Sequence, residues 1–63
     1  MATYAIQRIN DHKYLLKTDK EQYDDYGNDN EIVYETRSHV KAIRKSLKCI
    51  PIVRVVCIEG GQA

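Results

Sequence analysis

Apolar and polar positions along this chain change period part-way, and the change predicts the order of its elements. Thr3 to Ile9 has strand composition, Asn10-Asp11-His12 supplies turn formers, and Lys13 to Thr18 resumes as a second strand, which together predict a tight hairpin. Turn residues then concentrate between Asp19 and Asn30, at Asp24-Asp25, Gly27-Asn28 and Asp29-Asn30, where the hairpin arms extend beyond the sheet. Glu31 to Thr36 reads as a third strand paired with residues 13–18, with Ile32 and Tyr34 on one face and Val33 on the other. Val40, Ile43, Leu47 and Ile50 then recur at spacings of three and four, giving one apolar stripe on a helix of about residues 37–49. Thr36 or Ser38 can cap its start, Lys45 and Lys48 suit the negative end of its dipole, and Pro51 ends it. Ile52 to Ile58 is the most apolar segment, with Val53, Val55 and Cys57 on one face and Ile52, Val56 and Ile58 on the other. Arg54 interrupts the second set.

The fold expected is α+β: a small antiparallel sheet with one helix packed on one face, in the order β-β-β-α-β. It forms a single domain over residues 1–63, with residues 59–63 as a flexible tail. A chain of 63 residues buries only about 60% of its unfolded surface, which leaves little room for a deep catalytic pocket. All five aromatic residues are tyrosines, so Ile, Val and Leu must fill the core while some hydroxyls reach water or a partner. One helix covers one face. The two-sided apolarity of residues 52–58 therefore requires either a central place for that strand or an open face suited to docking or dimerisation.

Several chemistries fail on spacing. Arg8 and Asp11 interrupt the apolar start before a signal sequence can form, and no apolar run reaches 18 residues, so the expected address is the cytoplasm with no membrane contact. Cys49 and Cys57 would be held roughly 20 Å apart by the strand between them and are read as reduced. Two cysteines and two histidines lack the paired spacings of a zinc site. A calcium loop with Gly27 at its sixth position would place Gln22 first and Tyr26 fifth, where oxygen-rich ligands are needed. Cys49 sits at the helix end that disfavours a thiolate, and Asp24 and Asp25 are neighbours in a loop rather than a separated acid and base. The chain is read as non-enzymatic, with no cofactor and no metal.

Charge is strongly segregated. Through Thr36 there are eight acids and four bases; from Arg37 onward there are six bases and one acid. Two candidate contacts follow. The first is the acidic loop, with Tyr23, Asp24, Asp25, Tyr26 and Asp29, which mixes rigid aromatic area with carboxylates able to imitate phosphates in a basic cleft. The second is the helix, whose Arg37, Lys41, Arg44, Lys45 and Lys48 could track phosphates or meet an acidic protein surface. The plain alternatives are a solvated hairpin tip and a solvated helix face.

The run Tyr34-Glu35-Thr36, a helix carrying Ala42, and Val53-Arg54-Val55 in a closing strand, within residues 31–58, resemble the pattern of small phage and mobile-element inhibitor proteins. Among these are inhibitors of bacterial RNA polymerase and compact anti-CRISPR proteins. The resemblance implies a stand-alone inhibitor that blocks a larger host protein or nucleoprotein complex by occupying a nucleic-acid channel or a subunit contact. The alternative is a nucleic-acid-binding regulator that uses the basic helix and forms a homodimer through the last strand.

Overall fold

The computed structural model describes residues 2–26 and 32–58. Its elements run β1 (Thr3–Arg8), β2 (Tyr14–Leu15), β3 (Tyr23–Asp24), β4 (Glu35–Thr36), α1 (His39–Ser46) and β5 (Val53–Ile58). The expected α+β architecture is present as a five-stranded antiparallel sheet with one helix against it. Four strands rather than three precede the helix, because the chain after β2 folds back and pairs Tyr14 with Asp24 and Leu15 with Tyr23. The predicted tail at 59–63 lies outside the described residues. Among the described residues, no helix is long and apolar enough to cross a membrane.

β1 is paired along both edges. β5 occupies one edge completely, in unbroken register from Thr3↔Ile58 to Arg8↔Val53. The other edge is shared: β2 meets it at Gln7↔Tyr14, and β4 meets it at Tyr4↔Thr36 and Ala5↔Glu35. The segment leading into β4 first pairs with the end of the hairpin, as predicted for residues 31–36. Leu16 bridges Val33, the Tyr34 N–H donates to the Leu15 carbonyl at 2.9 Å, and the Lys17 N–H donates to the Ile32 carbonyl at 2.6 Å. The hairpin itself closes where expected. The Arg8 N–H donates to the Lys13 carbonyl at 2.7 Å, and His12 takes a positive φ of 60° at the turn, a region a non-glycine residue enters mostly in tight turns.

Because side chains alternate across a strand, central β1 feeds both layers. Ile6, fully buried, faces the helix side with Leu15, where Ala42 of α1 is also fully buried. Ala5 faces the other side and packs with Leu16 and Val33, joined by Tyr14, Val56 and Ile58. Gln7 is the one buried polar residue among those described, and both ends of its amide are satisfied. Its Nε2 donates to the His12 carbonyl at 3.2 Å, and its Oε1 accepts from Arg54 Nε at 2.8 Å.

The helix departs from expectation in one respect that shapes the whole surface. It is shorter than predicted, starting at His39 with Ser38 as N-cap, whose Oγ accepts the Lys41 N–H at 3.2 Å; such a cap contributes about 1 kcal/mol. Thr36 Oγ1 in turn accepts the Ser38 N–H at 3.2 Å. The apolar stripe does not pack on the sheet: Val40 is 57% exposed, Ile43 40%, Leu47 79% and Ile50 91%. The side turned inward is instead Ala42, flanked by half-buried Ser38, Ser46 and Cys49. The reason is steric. The sheet face below is already filled by bulky side chains, with Tyr4 packed at a tilt against His39, ring centroids 4.9 Å apart, and the Tyr34 ring beneath Lys45 at 5.5 Å. Only a small residue lets the helix backbone approach such a surface.

Of the two alternatives for the last strand, the central place is not taken: β5 pairs with β1 alone at the edge of the sheet, and its neighbour Ile52 is 78% exposed. Both cysteines are free thiols, Cys49 half-buried and Cys57 exposed.

These placements predict opposite outcomes for two isoleucines. Ile6→Ala should cost about 2–5 kcal/mol through cavity formation, whereas Ile50→Ala should stay within about 0.5 kcal/mol, read from urea denaturation midpoints.

Candidate functional site

The five bases expected on one helix face separate into two groups. Within α1, Lys41 and Arg44 lie about 60° apart at about 100° per residue; Arg37 precedes the extended Ser38 cap and Lys48 follows the last helical turn, and all four are exposed. Lys41, Arg44 and Lys48 form no ion pair with any described residue. Lys45 leaves this group, since its ammonium rests over the Tyr34 ring, an attraction to the ring's negative face that holds the side chain against the sheet. Arg44 and Lys45 also lie in the last turn of α1, where a cation meets the negative end of the helix dipole.

The acidic segment has a different character from the one its composition suggests. The Tyr23 ring lies beneath the Arg8 guanidinium at 4.5 Å, and its hydroxyl donates to Glu21 Oε2 at 2.7 Å. Burial, reinforced by hydrogen bonding to Cys49 and Glu21, pushes the Tyr23 hydroxyl well above the usual tyrosine range. Tyr26 packs edge-on against Tyr14 at 5.3 Å and donates to Glu35 Oε2 at 2.7 Å, which raises its pKa. Both hydroxyls are thus engaged within the fold, while the Tyr26 side chain stays 47% exposed and Tyr23 is half-buried. Asp24 is half-buried in β3, and its Oδ1 accepts the Asp25 N–H at 2.7 Å. Asp25 is exposed, and Asp29 lies outside the described residues.

Glu21, which the sequence offered only as one of a run of acids, joins the two charged regions. Its carboxylate accepts the Ile50 N–H at 3.1 Å, tying the connection after α1 to the segment before β3. Acids and bases line one adjoining cleft of about 160 Å³: Asp19 and Glu21 with Lys20, Lys45 and Lys48. A broader, shallow cleft of about 620 Å³ adjoins it, lined by Arg8, Glu21, Tyr23, Asp24, Ile50 and Pro51. Among the described residues, no group of three or more His, Cys, Asp or Glu side chains is placed to hold a metal. The linear segregation of charge is therefore partly undone in space. One signal in the sequence pointed this way, since Lys45, Lys48 and Cys49 lie on the opposite side of the helix from Ile43.

No protein-family model, curated protein or solved structure matches this chain.

Arg8 also forms an ion pair with Asp11, with Nε donating to Oδ1 at 3.0 Å. That hydrogen bond is the main cause holding the Asp11 carboxyl at about 2, below its ordinary 3.8. A depressed carboxylate pKa stabilises the folded state above the unfolded value, and the contribution is lost as pH falls through the folded one. Urea midpoints measured from pH 3.8 down through about 2 should therefore fall more steeply for the wild type than for Asp11→Asn.

Proposed function

We propose that the protein is a non-enzymatic interaction protein that binds a larger nucleic-acid-handling complex and inhibits it by occupying a charged surface. One observation carries the reading: the outer face of α1 presents Lys41, Arg44 and Lys48 without described ion-pair partners, while exposed carboxylates stand next to it. Asp19 and Glu21 line a narrow cleft together with Lys20, Lys45 and Lys48, so the surface beside the helix carries both signs. A protein surface carrying both signs can meet both, and such complementarity sets partner choice and encounter rate more than affinity. The principal contact is Arg37, Lys41, Arg44 and Lys48; Asp25, with Asp24 behind it, forms the secondary one. The pattern shared with small phage inhibitors is in keeping with this mode of action.

Direct nucleic-acid binding through the same helix is the competing reading, and one set of variants separates the two. Lys41→Glu/Arg44→Glu/Lys48→Glu should abolish nuclease-resistant capture of a nucleic-acid-handling complex from cell extract, together with inhibition of that complex's activity. Asp25→Lys should weaken both by a smaller factor. Capture that disappears with nuclease, survives Asp25→Lys and falls steeply with salt, as counterion release requires, would replace the inhibitor reading with direct nucleic-acid binding.

A further inference from the structure

We propose that the outer edge of β5, with the apolar side of α1 above it, is the interface for a second copy of this chain, joined by antiparallel β5–β5 pairing about a two-fold axis at Val55. The inference does not rest on what the basic face of α1 binds.

The hydrogen-bond phase of the sheet fixes which groups point outward. The Ile9 N–H donates to the Ile52 carbonyl at 3.1 Å, and the register with β1 continues without interruption from Arg8↔Val53 to Thr3↔Ile58. In an antiparallel ladder, bonded and non-bonded pairs alternate. Arg54, Val56 and Ile58 therefore direct their amides to β1, while Val53, Val55 and Cys57 direct N–H and C=O away from the sheet. Natural edges are blunted by charge, proline, a bulge or a covering element. This edge is six residues long with an unbroken register, contains no proline and carries one charge, Arg54.

Self-pairing fits the edge. With the two-fold at Val55, Val55 faces its own copy and Val53 faces Cys57, so all three outward residues enter the ladder. Arg54 then faces Val56 rather than a second arginine, and Ile52 faces Ile58. A shift of register by two residues toward the N-terminus would instead set Arg54 against Arg54, with repulsion between like charges directly opposite each other.

The helix distinguishes a second copy from a lone added strand. Lys45, Lys48 and Cys49 line the cleft toward β2, so Ile43, on the other side of α1, looks over β5, with Val40 and Leu47 above it. A single strand would cover the edge and leave Val40 and Leu47 in water. A second copy brings its own Val40, Ile43 and Leu47 to meet them. Exposed apolar side chains next to an unpaired strand edge mark an interaction site. Lys41 lies on the far side of the helix, and Arg44 borders the patch beside Val40 and Leu47 at its solvent side.

The test is a concentration series by analytical ultracentrifugation with amide hydrogen exchange. The wild type should move from 7.3 kDa to twice that mass between micromolar and millimolar concentration. The Val53, Val55 and Cys57 amides should become protected only in the dimer, with Arg54, Val56 and Ile58, already bonded to β1, as internal controls. Leu47→Glu, at a site 79% exposed and so neutral for folding, should raise the dissociation constant about tenfold or more. N-methylation of Val55 in synthetic protein removes only the outward N–H and should do the same. A wild type that stays monomeric at millimolar concentration overturns the proposal. So does a dimer whose Val53, Val55 and Cys57 amides exchange freely, or one that both substitutions leave intact.

Discussion

A single strand carries the fold. β1 has neighbours on both edges and buried side chains on both faces, and every other sheet element reaches the structure through it or through β2, its hairpin partner. Ile6 and Ala5, adjacent in sequence and both fully buried, anchor the two layers. A chain of this length cannot build two independent cores, and a strand shared between the layers lets a few residues serve both. The exposed perimeter is the consequence: with β2 and β4 sharing one side of β1, β5 is left at the other end of the sheet.

Close packing of α1 sets the character of the surface. Burying one large aliphatic side chain contributes about 1.5–3 kcal/mol, so turning Val40, Ile43 and Leu47 toward the sheet would be favourable if space existed. Tyr4, Ile6, Leu15 and Tyr34 already fill that space, and forcing larger groups into a packed layer costs about 1–3 kcal/mol. The helix instead seats Ala42, and its apolar residues are displaced to the side and crest. The arrangement leaves a helix of eight residues, too short to be stable alone, held by its Ser38 cap and by contacts that are small, aromatic or cationic.

Polar side chains hold the connections that the small core cannot. Gln7 links Arg54 of β5 to the hairpin turn, Glu21 links the residues after α1 to those before β3, and Tyr26 links the far end of the acidic segment to β4. Each is a hydrogen bond between segments distant in sequence or across a turn, worth individually about 0.5–1.5 kcal/mol. The hydroxyls of Tyr23 and Tyr26 bond to Glu21 and Glu35, and exposed charge of both signs remains, on α1 and on the segment from Lys17 to Asp25.

The amino-acid sequence by itself determined what depends on local pattern. Strand composition placed strands at 3–9 and 52–58, the Asn10-Asp11-His12 cluster placed the first turn, and Thr36 or Ser38 at one end and Pro51 at the other bounded the helix, because strand propensity, turn chemistry and capping act over a few residues. It also revealed the basic run on the helix and the acidic run before it. Tertiary structure decided which side of the helix faces inward. The inward series Ser38, Ala42, Ser46 and Cys49 has helical spacing but almost no hydrophobic signal, and its selection depends on the size of Tyr4 and Tyr34, remote in sequence. It likewise decided that β5 is an edge and that Glu21 bonds to Ile50, both of which are matters of long-range pairing. Periodicity reports which residues share a face; only packing against a particular neighbour determines which face is buried.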